Sequence, residues 1–460
     1  MYASDFKFRN IIAFLLGVIL CFWSASTTAQ CWTSDLSEVE QVAVARETFE
    51  TELFAESIEA AKCYLDEFPL GNSREEMLYL SAESFRNSGK LIDAVKGYDE
   101  LMIIFPSSKA YLEKVMFHKG VLQARIKKYP ESINSLKMFL LKFPNSSFRD
   151  EAYYWQGYAT SYHAELLRLK NKEMALPEFE ASTTHFVKSN PTSLSQTQQI
   201  ERLHLLGRAW WFLDDISQAA DAWEKYFDYS NSISQEEALS LKFQLATGFQ
   251  KKKNYAKAEK WYARITKDHP DSALATSSSF WQAEMAYAKA VQLEKTTEFD
   301  SNSVEGLVKH YQQYINRNDN EHLSLAYYRI GVLQRSHQSN QSISAFNEYI
   351  LTNDTTYLNE VLYQLGYLYI EKKHHKNAIN SFEKYLSKGY KTHVDEVQYQ
   401  LGMLYIKTKQ PLKAIAAYEQ YLSGEVKEHT AMTQLSLGSL YLGAKQPFLA
   451  LAAFENARQY

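Results

Sequence analysis

Few residues in this chain have the type and spacing that chemistry needs, and the first are its three cysteines. Cys21 sits in an apolar run from Ile11 to Trp23, which follows Lys7 and Arg9 and precedes Ser24-Ala25-Ser26-Thr27-Thr28-Ala29. That run fits the usual ~7–15 residue window of a secretory leader and is short of the ~18–20 residues that span a bilayer. Cleavage after Ala29 is the expectation. A retained anchor and lipidation of Cys31 are the alternatives, the second opposed by Gln30 where a small residue is wanted. Export would leave Cys31 and Cys63 as an even pair in an oxidising compartment, either bonded to each other or idle.

The histidines offer less. His374-His375 could suggest a metal, but neighbours on a helix point about 100° apart, and Lys372, Lys373 and Lys376 around them mark a solvated turn. His204 lies in a Trp-rich helical segment, where a packed or groove-facing ring is expected rather than an acid–base role. No His-Glu-x-x-His, Gly-x-Ser-x-Gly, Gly-x4-Gly-Lys-Ser/Thr or Cys-x2-Cys occurs, so neither an enzyme nor a cofactor or metal site is expected. A formal charge of −4 gives no basic footprint for nucleic acid.

What must position any functional side chain is an internal repeat. Tyr363-Gln364-Leu365-Gly366, Tyr399-Gln400-Leu401-Gly402 and Leu435-Ser436-Leu437-Gly438 recur, each followed by an alanine (Ala378, Ala414, Ala450) and then an aromatic (Phe382, Tyr418, Phe454). A period of about 36 residues with two apolar segments at helical spacing marks a helix–turn–helix solenoid. Only 16 Gly and 9 Pro in 460 residues agree with an all-α chain. Glycine inside a helix costs about 1 kcal/mol against alanine, so its recurrence signals close helix packing, with the later aromatic filling the space. Phe68-Pro69, Phe105-Pro106, Phe143-Pro144 and His269-Pro270 punctuate the units.

With the glycine as eighth residue, a small residue there, an aromatic at the eleventh, Ala at the twentieth, an aromatic at the twenty-fourth and Pro at the thirty-second resemble the tetratricopeptide repeat. The resemblance covers most of 38–460 and implies an α-solenoid of about eleven units wound into a right-handed superhelix. Three blocks are expected after the leader at 1–29: 30–199 with a lengthened unit at 150–199, 200–323 with an insertion near 296–303, and 324–460. In the first block, Phe143-Pro144-Asn145-Ser146-Ser147-Phe148, Glu151-Ala152-Tyr153-Tyr154-Trp155-Gln156-Gly157-Tyr158 and Ser189-Asn190-Pro191-Thr192-Ser193 are similar to periplasmic outer-membrane-assembly lipoproteins and Tol-system coordinators.

The repeat resemblance also implies that the second, fifth, ninth and twelfth residues of each first helix face a concave groove. The fifth residues are Tyr79, Phe117, Tyr154, His204, Phe243, Tyr328, Tyr363 and Tyr399. Tyr158, Tyr162, Arg208, Trp211, Arg335 and Tyr367 stand at or beside the other groove positions. Tyr, Trp and Arg are enriched at binding hot spots, whereas a helical aromatic stripe also serves as core. The Lys and Asn that hold a terminal carboxylate in chaperone-binding relatives are missing. The expectation is a non-enzymatic scaffold for protein or peptide segments in the bacterial envelope, monomeric and touching membrane only through a retained anchor. A glycan-binding module is the alternative, because aromatic grooves also stack sugars.

Overall fold

The computed structural model describes residues 31–295, 299–425 and 428–460. The expected leader lies outside them, as do residues 296–298 of the polar stretch. Among the described residues there are 22 α-helices and no strand, and no helix is long and apolar enough to cross a membrane. The chain is an α-solenoid of helix–turn–helix units, in two compact bodies that meet in sequence at Tyr229 and Ser230. That boundary falls inside the middle of the three expected blocks.

The first body pairs α1 (Glu38–Glu50) with α2 (Phe54–Glu67), α3 (Arg74–Asn87) with α4 (Leu91–Ile104), and α5 (Leu112–Arg125) with α6 (Tyr129–Lys142). It continues with α7 (Arg149–Lys170) and α8 (Lys172–Lys188), then α9 (Gln196–Phe212) and α10 (Ile216–Phe227). The second body pairs α11 (Gln235–Lys251) with α12 (Tyr255–Asp268), α13 (Ala273–Glu294) with α14 (Ser301–Ile315), and α15 (Leu323–Gln334) with α16 (Ser339–Leu351). It ends with α17 (Leu358–Glu371) and α18 (His375–Ser387), α19 (Val394–Lys407) and α20 (Pro411–Ser423), and α21 (Thr430–Gly443) and α22 (Pro447–Ala457).

Each pair is locked by the spacing seen in the sequence. A Cβ built on Gly366 would stand 2.2 Å from Phe382, on Gly402 2.3 Å from Tyr418, and on Gly207 2.3 Å from Trp223. The missing side chain is what lets the aromatic of the second helix lie against the first. The turn between the two helices closes on a left-handed residue: Lys127, Asp214, Lys253, Lys373, Lys409 and Lys445 all have φ between 57 and 63°. His374 follows as the N-cap of α18, so the His374-His375 pair does lie at the turn.

The lengthened units each have a long first helix. The additional residues of the unit at 150–199 extend its first helix instead of forming a loop: α7 has 22 residues where α5 has 14. One residue, Asn171, then turns the chain and caps α8 by accepting from the Glu173 N–H at 2.8 Å. Pro177 does not break α8 but lies within it, as its sixth residue. In the second body, α13 also has 22 residues, and Asp300 caps α14 by accepting from the Ser303 N–H at 2.8 Å.

Cys31 and Cys63 form a disulfide, with Cα atoms 5.5 Å apart. It fastens the segment before α1 to α2, where Trp32 and Leu36 pack on Val42, Ala45 and Tyr64.

Candidate interaction surface

The column of fifth residues is built into the joints between units. In each of six joints the residue just before the next first helix carries a ring that stacks on it: Tyr111 on Tyr79 at 4.2 Å, Phe148 on Phe117 at 4.6 Å, Tyr357 on Tyr328 at 4.1 Å. His322 on Phe280, His393 on Tyr363 and His429 on Tyr399 complete the set, at 4.2, 4.5 and 4.3 Å. The backbone N–H groups of His322, Tyr357 and His429 also donate to the hydroxyls of Tyr314, Tyr349 and Tyr421, at 2.9, 2.8 and 2.8 Å. One residue thus joins two helices of the preceding unit to the start of the next.

This corrects part of the groove reading. Phe117, Tyr154 and Tyr399 are 3, 1 and 8% exposed, so they pack the joints and present nothing to a partner. The rest of the set is half-buried. Tyr158 and Tyr162 form a ring cluster with Trp155 and Tyr129. His204 lies against Tyr226, Trp211 against Trp223 and Phe243 against Tyr262. Arg208 pairs with Glu165, Arg335 ends α15, and Tyr363 donates to Glu396 at 2.8 Å beside Tyr367, which donates to the same carboxylate.

Two carboxylates stand at ninth positions, Glu83 buried and Glu284 half-buried. Glu83 accepts from Tyr98 at 2.5 Å and from Arg86 at 2.6 Å, and meets His118 at 2.9 Å. Glu284 likewise accepts from Tyr311 at 2.5 Å and from Arg329 at 3.1 Å. Burial works to raise the Glu83 carboxyl, but the hydrogen bonds and charges of His118, Tyr98 and Arg86 outweigh it and hold the group at about 2, below its ordinary 4.5. A depressed carboxyl contributes stability above its unfolded pKa and loses it as pH falls through the folded one. Glu83→Gln should therefore flatten the acid limb of stability between pH 4.5 and about 2, read by urea melts at stepped pH. An unchanged limb would remove Glu83 from the acid response.

Exposed side chains at the expected groove positions lie elsewhere. On α19 and α21 the second, fifth and twelfth positions carry aliphatic side chains: Ile406 is 41% exposed, Met432 59%, Leu435 47% and Leu442 55%. The two helices share a core of Tyr399, Met403, Leu437 and Leu440, so these four residues belong to one packed surface. The repeat register places these four residues too, and their aliphatic type is the signal in the sequence.

The family profile of the tetratricopeptide repeat matches residues 360–387 and 395–423, which span α17–α18 and α19–α20. No curated protein matches the sequence. Among solved structures the chain is similar to MamA, at 22% identity over 34% of this chain and 88% of that one, with a TM-score of 0.28. It is also similar to the human IFIT1 dimer with m7Gppp-AAAA, at 13% identity over 92% and 90%, TM-score 0.28. A third is a tetratricopeptide repeat protein from Parabacteroides merdae, at 13% identity over 64% and 99%, TM-score 0.28. Superposition scores of this size leave the fold resting on the chain's own helices. The matched segments, 360–387 and 395–423, are tetratricopeptide repeats, and each holds a glycine–aromatic lock, Gly366 with Phe382 and Gly402 with Tyr418.

Proposed function

We propose that the protein is an exported, non-enzymatic interaction scaffold of the bacterial cell envelope, acting in the periplasm, and that it captures an apolar segment of a partner protein on the α19–α21 face. The observation that carries this reading is the set of four exposed aliphatic side chains at groove positions of two adjacent first helices. Burying one such side chain fully is worth roughly 1.5–3 kcal/mol, which gives a partner segment a reason to bind there. Export rests on the apolar N-terminal run and is supported by the Cys31–Cys63 bond, a pairing at home in an oxidising compartment.

Leu435→Lys with Leu442→Lys should leave the melting temperature within the small range of surface substitutions and reduce partner capture by roughly 30-fold or more. Capture is measured with the native protein cross-linked in its envelope through a photoreactive residue at Ser439. Equal cross-linking by the variant would sink the surface. A fusion of residues 1–70 to alkaline phosphatase tests export separately, and an enzyme inactive in intact cells would refute it.

A further inference from the structure

The repeat register exposes one residue that breaks a rule kept elsewhere. Two residues after the start of each register lies a position that packs into the core: Met77, Val115, Ala152, Val361 and Val397 are all 0% exposed there. In α9 the same position is Arg202. Arg202 is half-buried, and withdrawing a charge part-way from water where a methyl group would serve costs free energy unless the charge has work to do. Part of that work is structural. The Nε–H of Arg202 donates to the Phe186 carbonyl at 2.8 Å and to Ser189 Oγ at 2.9 Å, and Nη2 donates to the same carbonyl at 2.5 Å, which caps the end of α8.

The capping uses only one edge of the guanidinium. Of its five N–H donors, those on the Nη1–Nη2 edge make no bond among the described residues, and no carboxylate pairs with the group; Arg329, by contrast, is held by Glu284. Arg202 lines a cleft of about 670 Å³ in the first body. Leu203, Leu206 and Trp210 of α9 line it too, and Ala222 lines it from α10. The cleft therefore combines an unpaired planar cation with an apolar wall. Asp221 and Asp228 also line it and are exposed, as is Lys225. Two carboxylates there repel a polyanion and leave room for a single negative charge.

We propose that this cleft binds a monocarboxylate carried on an apolar body, with the carboxylate bidentate on the free edge of Arg202 and the body against Leu203, Leu206 and Trp210. Planar, bidentate recognition of a carboxylate is what an arginine fork does best. The free acid and the C-terminal residue of a peptide share this chemistry.

Calorimetric titration of the full chain with N-acetyl-phenylalanine and with its uncharged amide tests the proposal. The acid should bind, the amide at least about tenfold more weakly. A pentapeptide ending in Phe, with a free or an amidated C-terminus, distinguishes the two sources: tighter binding of the free-ended peptide than of the acetyl amino acid assigns the cleft to chain ends, and the reverse to free acids. Arg202→Lys keeps the charge but not the fork, and should weaken acid binding about tenfold in a protein that melts as wild type does. Arg202→Met should abolish it. Equal affinity for acid and amide, no binding of either, or undiminished acid binding by a folded Arg202→Met would overturn the proposal and leave Arg202 as the cap of α8 alone.

Discussion

Gly402→Ala will lower the melting temperature even though alanine is the better helix former. The propensity change alone favours the variant by about 1 kcal/mol. Against it stands geometry: the new Cβ would lie 2.3 Å from Cε1 and 2.4 Å from Cδ1 of Tyr418. Tyr418 is 2% exposed and has the Tyr399 ring 6.1 Å away, so it has little room to withdraw. Overpacking of this kind costs about 1–3 kcal/mol, and Gly402→Leu should reach the upper end. The same body contains its own control. Gly306, inside α14, has nothing within 4 Å of its built Cβ, so Gly306→Ala should raise stability by roughly 0.5–1 kcal/mol. In a double variant, Tyr418→Ala should absorb most of the cost of Gly402→Ala, because the two residues share one contact. Should both glycine variants shift the melt in the same direction, packing is not why glycine recurs in these helices.

The same residues show what a sequence can and cannot reveal here. The lock between Gly402 and Tyr418 was legible because both halves recur at constant spacing, and a glycine in a helix needs a reason. The fifth-position column was legible as a pattern but not as a role. Its partners, Tyr111, Phe148, His322, Tyr357, His393 and His429, lie in connections where a ring looks like any other loop residue. Phe280 belongs to the column but is not legible as such, because the 22-residue α13 and the polar stretch after it obscure the register. The Glu83 cluster was out of reach for another reason. Glu83 and His118 sit on first helices of successive units, and nothing in a single sequence says that one charged residue of an amphipathic helix is turned inward toward another.

Removing the Cys31–Cys63 bond should loosen the start of the first body and leave the second untouched. The bond closes a loop with a sequence separation of 32 residues. Restricting the unfolded chain over a loop of that size is worth about 3–4 kcal/mol. Without the bond, the segment before α1 keeps the packing of Trp32 and Leu36, the Ser37 hydrogen bonds to Glu40, and the Gln41 side chain, which donates to the Thr33 carbonyl at 2.9 Å and to Glu67 at 2.6 Å. In a solenoid each unit leans on its neighbours and not on a common core, so the loss stays local. Hydrogen exchange of Cys31→Ser/Cys63→Ser should show the amides of α1 and α2 opening roughly 100-fold more readily, with those of α17 to α20 as in the wild type. Dithiothreitol should do the same to the wild-type protein and nothing to the variant. If exchange at α1 and α2 does not change, packing alone holds the N-terminal segment and the bond contributes nothing to it. If α17 to α20 also exchange faster, the two bodies open as one unit, and nearest-neighbour cooperativity is the wrong description of this chain.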